Sequence, residues 1–257
     1  MRVTVCQMRD QGGKMQEDWL DLVAHSKEEH ADLIVLPEMP FSPWFAAEKP
    51  FDQATWDAAV EAHDAYMGRL AELSTGLVVG TRPVNLDGKR LNEGFVWSPE
   101  EGYRAVHHKF YLPDEDAFWE ASWYERSSGH FKAFELAGEK AGMMICTEMW
   151  FTRHAHDFGR NGVNLLISPR ATLGGSTEKW VAGGVAAAVV SGAYSLASNR
   201  GGVDERGLEW GGNGWIIEPE EGQVLARTSL EQPIITMDLD MAVAEKAKTT
   251  YPRYVKI

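Results

Sequence analysis

Three residues that could do chemistry, Glu38, Lys109 and Cys146, each stand where a probable strand of the chain stops. Cys146 closes a run of methionine and isoleucine and is followed by the polar Thr147, as at the end of a buried strand that turns into a helix. Because the carboxyl ends of strands in open α/β sheets commonly build a site, we expect the three side chains to converge at one sheet edge.

A cysteine at such a corner is well placed to act as a nucleophile. The following helix would present unpaired N–H groups and the positive end of its dipole, so the sequence predicts a lowered pKa for the Cys146 thiol. A carboxylate such as Glu38 can take the thiol proton, and a lysine such as Lys109 can hold developing negative charge. The alternatives are an inert buried thiol for Cys146 and an ordinary surface ion pair for the other two residues.

Three segments that contain these residues resemble the signature segments of the nitrilase superfamily, the carbon–nitrogen hydrolases: LPEMPF (36–41), HHKFYLPDE (107–115) and MICTEMWF (144–151). Weaker similarity extends in order over nearly the whole chain. The resemblance implies a single carbon–nitrogen hydrolase domain over residues 1–257. It also implies an α/β fold, a four-layer αββα sandwich in which two mixed β-sheets pack face to face between helix layers.

The resemblance also implies catalytic roles. Glu38 would be the general base, Lys109 would stabilise the oxyanion, and Cys146 would be the nucleophile. Members of the family carry a second glutamate shortly after the lysine, and the spacing favours Glu120. The same stretch also offers Glu115 and Glu125.

The implied reaction is thiol-dependent hydrolysis of a non-peptide C–N bond in a small-molecule amide or N-carbamoyl amine. It would pass through a cysteine thioester and release ammonia or an amine, with no cofactor and no metal. The chain has Glu148 where many amidases have aspartate, and Thr147 where true nitrilases frequently have tryptophan. Nitrile hydrolysis, N-acyl transfer to an amine and a catalytically silent binding module therefore remain alternatives.

Substrate binding is predicted from residues near the three segments. Arg170, in the motif SPRAT (168–172), could hold a substrate carboxylate in a bidentate contact. It could instead pair with Glu148 or Glu178. The aromatic candidates for a tight, mostly apolar pocket wall are Trp119, Trp150 and Phe151, whose alternative role is loop packing.

Histidines offer a rival chemistry, either a Cys–His dyad or a metal site. His107 and His108 are neighbours on a predicted strand, so their side chains should point to opposite faces. His154 and His156 are two apart on a predicted helix and should also diverge. Since no familiar zinc spacing is present, both ideas are disfavoured.

Composition narrows the class of protein. A net charge of −13 over 257 residues argues against nucleic-acid binding and against an anionic membrane surface. Two cysteines cannot form a disulfide framework. The N-terminus lacks the apolar stretch of a signal peptide, and no run is long enough to span a membrane, so we expect a cytoplasmic protein.

Strand-like and helix-like segments alternate along the chain. Helices are predicted over 15–30, 54–73, 152–161 and 177–190. Strands are predicted over 3–8, 33–37, 77–82, 93–97, 103–107, 133–136, 142–146, 163–168, 193–198, 213–218, 223–226 and 233–238. The glycine- and alanine-rich segment 183–194 fits either a helix buried in its own domain or the contact face of the expected homodimer or higher homo-oligomer.

Overall fold

The computed structural model describes residues 1–9 and 12–255. Its helices are α1 (Gly12–Glu29), α2 (Gln53–Met67), the short α3 (Glu120–Trp123), α4 (Thr152–Arg160), α5 (Thr177–Ser191) and α6 (Met241–Ala247). Its strands are β1 (Arg2–Arg9), β2 (Leu33–Val35), β3 (Leu77–Leu86), β4 (Lys89–Ser98), β5 (Gly102–His108), β6 (Phe134–Leu136), β7 (Glu139–Met143), β8 (Leu165–Arg170), β9 (Tyr194–Val203), β10 (Glu209–Gly211), β11 (Trp215–Ile217), β12 (Val224–Arg227) and β13 (Ile234–Asp238).

The strands follow the order β5-β4-β3-β2-β1-β9-β8-β7-β6. Strand β1 belongs to both halves of this arrangement. Its first residues pair with β2 in parallel and with β13 in antiparallel, and its last three residues pair with β9 in parallel. Each half is mixed, because the β3-β4-β5 and β6-β7 pairs are antiparallel whereas the β2-β3 and β7-β8-β9 pairs are parallel.

The two halves pack face to face over an aliphatic core. Val5, Val35 and Val79 of one half share this core with Leu165 and Ile167 of the other, and all five side chains are buried. Alternation along each strand sends every second side chain to this inner layer and the others outward.

Gly94 of β4 permits a close approach between the two halves. A Cβ at this position would lie 2.1 Å from the Met143 sulfur of β7, so only glycine leaves room for that side chain.

Helices cover the outer face of each half. Trp19 and Leu22 of α1 pack on Ile34 of β2. On the other side, Ala187 of α5 packs with Trp215 of β11. The fold is therefore the predicted αββα sandwich, a mixed sheet nearly closed on itself with helices around it.

Several predicted elements differ in detail from the observed ones. The predicted helix 54–73 ends at Met67, and a separate 3₁₀ turn follows at Leu70–Leu73. The predicted strand 142–146 ends at Met143, so Cys146 lies beyond its strand. Strand β10 and helix α6 were not predicted, although Asp240 caps α6 by accepting a hydrogen bond from the backbone N–H of Ala242.

The glycine- and alanine-rich helix α5 packs within its own domain. A Cβ on Gly184 would lie 2.7 Å from the Trp215 ring, so the glycine allows α5 to approach its own sheet. The buried face of α5 therefore covers its own sheet. The homo-oligomer stays a prediction.

Candidate active site

Glu38, Lys109 and Glu120 form a fully buried cluster at one edge of the sandwich. The Lys109 Nζ donates to Glu38 Oε1 at 2.8 Å and to the two Glu120 oxygens at 2.9 and 2.6 Å. Lys109 comes directly after β5, and Glu38 lies three residues after β2. The predicted convergence at the ends of separate strands therefore occurs for these two residues.

The two carboxylates keep the buried lysine charged. Burial alone would lower the pKa of Lys109, but Glu120 and Glu38 outweigh it and raise that pKa above its usual range. Burial, with Glu38 nearby, raises the pKa of Glu120 to about 7, although Lys109 opposes the change. The cluster therefore holds one permanent cation and a carboxyl group that titrates near neutrality.

Of the three glutamates offered by the segment after Lys109, Glu120 is the one that reaches the lysine. Glu115 and Glu125 are exposed. The Tyr124 hydroxyl also donates to Glu120 Oε2. The predicted choice of Glu120 by spacing thus agrees with the geometry.

Among the described residues, hydrogen bonds reach only one of the two carboxylate oxygens of Glu38. Asn92 of β4 donates from Nδ2 to Glu38 Oε1 at 2.7 Å, the same oxygen that accepts from Lys109. Among the described residues Glu38 Oε2 has no hydrogen-bond partner, and it is buried. This oxygen is free to accept a proton. Sequence reasoning missed Asn92, because it is one of several polar residues at the start of β4 and no local signal marks it.

Hydrogen bonds also fix the backbone at Glu38. Its N–H donates to the Arg170 carbonyl at 3.1 Å, and its own carbonyl accepts from Arg200 Nε at 3.1 Å. Arg200 is buried and also donates to the carbonyls of Met39 and Ser42. Arg200 lies on β9 and received no role from the sequence.

Cys146 opens a 3₁₀ turn, Cys146–Trp150, instead of a regular helix. Its φ of 47° is in the left-handed region, which is costly for a residue with a side chain. The side chain is 3% exposed, and its Sγ lies 3.7 Å from the Ala171 carbonyl.

The prediction of a lowered thiol pKa is wrong. Burial, together with the negative charge of Glu38, raises the pKa of Cys146 above its usual range, and Lys109 only partly offsets this. The physical reason is that the turn after the strand is too short to carry a helix dipole, while a carboxylate lies near the sulfur. The proton consequently stays on the sulfur at neutral pH.

A cavity of about 720 Å³ reaches Cys146 and Thr147. Its walls include several aromatic residues, among them the predicted Trp150 and Phe151, which are both 37% exposed. Tyr111 stacks on Phe151 with ring centroids 3.5 Å apart. The remaining walls include Phe118, Trp180, Arg126 and Lys179.

The other two predicted substrate-binding residues do not line this cavity. Trp119 is half-buried among aromatic side chains of the loops. The Lys49 ammonium lies 4.3 Å from the centroid of its ring. Arg170 is buried behind Ala171, with its guanidinium 3.8 Å from the Trp215 ring centroid. It donates to the Thr172 hydroxyl and the Asn213 carbonyl, and among the described residues it pairs with neither Glu148 nor Glu178. Burial lowers its pKa to about 9.

In the described part of the chain, the hydrogen bonds of these histidines go to other side chains and not to the Cys146 thiol. His107 bonds Glu148 and His108 bonds Glu93, on opposite faces of β5 as expected. His154 lies 3.0 Å from the Tyr111 hydroxyl. Within residues 1–9 and 12–255, no group of three or more His, Cys, Asp or Glu side chains is arranged to hold a metal ion.

No helix within residues 1–9 and 12–255 is long and apolar enough to cross a membrane.

Comparison with known proteins gives consistent matches. The family model described as carbon–nitrogen hydrolase matches residues 2–249. The mouse omega-amidase NIT2 is 25% identical over 240 residues, which cover 90% of this chain and 84% of that protein.

Solved structures match over almost the full length. A carbon–nitrogen hydrolase from Helicobacter pylori G27 gives a TM-score of 0.86 at 20% identity, covering 99% of this chain and 94% of the other. A mutant of the amidase from Nesterenkonia sp. AN1 gives 0.79 at 20% identity, with 96% and 92% covered. That structure shows the acetamide moiety of fluoroacetamide added covalently to the active-site cysteine.

Proposed function

Because this chain belongs to the carbon–nitrogen hydrolase family and is an amidase-type hydrolase, we propose that it hydrolyses a small-molecule amide or N-carbamoyl amine at Cys146. In this proposal Glu38 is the general base, Lys109 stabilises the oxyanion, and Glu120 holds Lys109 in place. The observation that carries the proposal is the buried Lys109 ammonium bound by two carboxylates, at the edge where a cavity opens onto the thiol.

The first half of the reaction forms a thioester. Because the Cys146 proton stays on the sulfur at neutral pH, its transfer to Glu38 must accompany attack on the substrate carbonyl. The free Glu38 Oε2 suits this task, since Oε1 is already held by Lys109 and Asn92.

The tetrahedral intermediate places negative charge on the former carbonyl oxygen. Lys109 supplies a fixed positive charge there, and the backbone N–H that follows Cys146 adds a second donor. Collapse then breaks the C–N bond, and Glu38 returns its proton to the leaving ammonia or amine.

The second half regenerates the enzyme. Water attacks the thioester carbonyl while Glu38 accepts a proton from that water. The C–S bond breaks, the carboxylic acid product leaves, and the proton returns to the sulfur. The acetamide moiety on the active-site cysteine of the Nesterenkonia amidase supports a cysteine that reacts as a nucleophile with a small amide reagent.

The test is ammonia or amine release from a panel of small amides, ω-amides of dicarboxylates, N-carbamoyl amines and acids, and nitriles. We expect turnover of amides or carbamoyl compounds by the wild type and at least about a 10³-fold loss in Cys146→Ala. Cys6→Ala, which removes the other buried thiol, should retain turnover and serves as the matched control.

Three outcomes would overturn the proposal. Equal release by the Cys146→Ala variant would exclude the thiol mechanism. Turnover of nitriles alone would favour nitrile hydrolysis. Product formation only when an amine acceptor is added would favour acyl transfer.

A further inference from the structure

Glu148 is a fully buried carboxylate that the proposed reaction does not use. Its Oε2 accepts from the backbone N–H of Ile145 at 2.8 Å and from His107 Nε2 at 2.7 Å. Its Oε1 accepts from the backbone N–H of Phe110 at 2.7 Å. A carboxylate only accepts, so His107 must carry its proton on Nε2.

These three donors belong to two different parts of the molecule. Ile145 directly precedes Cys146 and follows β7, in one half of the sandwich. Phe110 directly follows Lys109, and His107 is on β5, in the other half. One carboxylate therefore joins the segment that carries the thiol to the segment that carries the lysine.

The Cys146 segment needs such support. A non-glycine residue at φ 47° is strained and persists only where its surroundings over-determine it. Glu148 closes the turn from within, because it accepts from the N–H of the residue before Cys146 while its own backbone N–H donates to the Ile145 carbonyl at 3.0 Å.

We propose that Glu148 is a positioning residue that sets the place of the Cys146 thiol relative to Lys109 and Glu38. The proposal rests on the proposed function, in which the thiol must meet both groups. Hydrogen bonds to a buried charged group are strong, and loss of one partner leaves the others unsatisfied.

The geometry also predicts which replacements fail. Glutamine has one acceptor oxygen, and its NH₂ group would face N–H donors. Aspartate keeps the charge, but it is one methylene shorter and cannot reach both segments without movement. A displacement of about 1 Å at a reacting group can cost about 10²-fold in rate.

The experiment compares Glu148→Gln, Glu148→Asp and His107→Phe with wild type. The readouts are kcat, KM, melting temperature and the rate of Cys146 alkylation by iodoacetamide, followed by peptide mapping. We expect Glu148→Gln to lower kcat and alkylation about 10²-fold with KM within about threefold. Glu148→Asp should lie between it and wild type, and His107→Phe should lose only a few fold.

Glu93→Gln is the matched control. Glu93 is also a buried carboxylate paired with a histidine of β5, but its partners are Arg82, Tyr103 and His108. We expect it to lower the melting temperature while kcat and alkylation stay within about twofold of wild type.

The proposal is overturned if Glu148→Gln has a lowered melting temperature like the control, yet keeps the kcat and the Cys146 alkylation rate of wild type. If Glu148→Gln does not fold, normal kcat and alkylation in both Glu148→Asp and His107→Phe overturn it. Alkylation needs no substrate, so a wild type inactive on every amide would refute the proposed function while still testing the position of the thiol.

Discussion

At the scale of single residues, the site is governed by one cation placed between two buried carboxylates. Lys109 can neutralise only one of the negative charges of Glu38 and Glu120. Burial makes the remaining charge costly, so a proton is retained near neutral pH. Burial and the nearby negative charge of Glu38 accordingly raise the pKa of Glu120, and Lys109 only partly offsets this.

This charge balance predicts a pH-dependent stability. The pKa of Glu120 rises from 4.5 to about 7 on folding. Its stabilising contribution is fully present below pH 4.5 and is lost as the pH rises through about 7, because the native state holds a proton that the unfolded state has released. The difference corresponds to on the order of 3 kcal/mol.

We therefore expect Glu120→Gln to remove this loss, so that its free energy of unfolding falls less than that of wild type between pH 5 and pH 7. Urea denaturation at several pH values measures the slopes. The exposed Glu125→Gln should follow wild type. Parallel slopes for Glu120→Gln and wild type would contradict the assignment of the titrating carboxyl group.

At the scale of elements, α5 supports the pocket wall through two adjacent glycines. A Cβ on Gly183 would lie 2.9 Å from the ring of Trp150, which lines the cavity. A Cβ on Gly184 would lie 2.7 Å from the ring of Trp215, which lies in the core between α5 and the sheet. Two consecutive residues of α5 thus face the pocket wall and the core respectively.

Alanine substitutions should separate these two contacts. We expect Gly183→Ala to displace Trp150 and raise KM several fold, with a small change in melting temperature. Gly184→Ala should instead cost about 1–3 kcal/mol of stability through overpacking, with KM near wild type. Steady-state kinetics and thermal melts on both variants test this contrast, and identical profiles for the two would refute it.

At the scale of the whole molecule, an acidic protein carries a pocket with basic residues at its edge. The net charge is −13, yet Arg126 and Lys179 line the cavity and are exposed, beside the acidic Asp114 and Glu115. Among the ion pairs of the described residues, none involves Lys179. The Lys179 ammonium lies 5.6 Å from the centroid of the Trp150 ring in the pocket wall, whereas Arg170 does not line the cavity.

We accordingly expect Lys179→Met to raise KM about tenfold for an amide that bears a carboxylate, and to leave KM for a neutral amide of similar size unchanged. Lys14→Met, an exposed lysine on α1, should change neither. Arg170→Met should mainly lower stability through the lost contact with Trp215. A selective KM increase in Arg170→Met, without one in Lys179→Met, would instead support the predicted carboxylate contact of Arg170.

The sequence by itself determined the fold class, the family and the main strands and helices, because each depends on local signals. Glu38, Lys109 and Cys146 each stand where a predicted strand stops, and strand ends commonly meet at one edge of a sheet. The spacing that selects Glu120 is equally local. The catalytic roles of these residues stay predictions that the geometry supports.

Only the tertiary structure decided what surrounds these residues. Asn92 reaches Glu38 across 54 positions of the chain, and Glu148 reaches Phe110 across 38. Trp150 and Phe151 line the pocket whereas Trp119 and Arg170 do not, since facing and burial depend on neighbours far apart in sequence. The pKa of Cys146 was predicted in the wrong direction for the same reason, because its value depends on burial and on the charge of a distant Glu38.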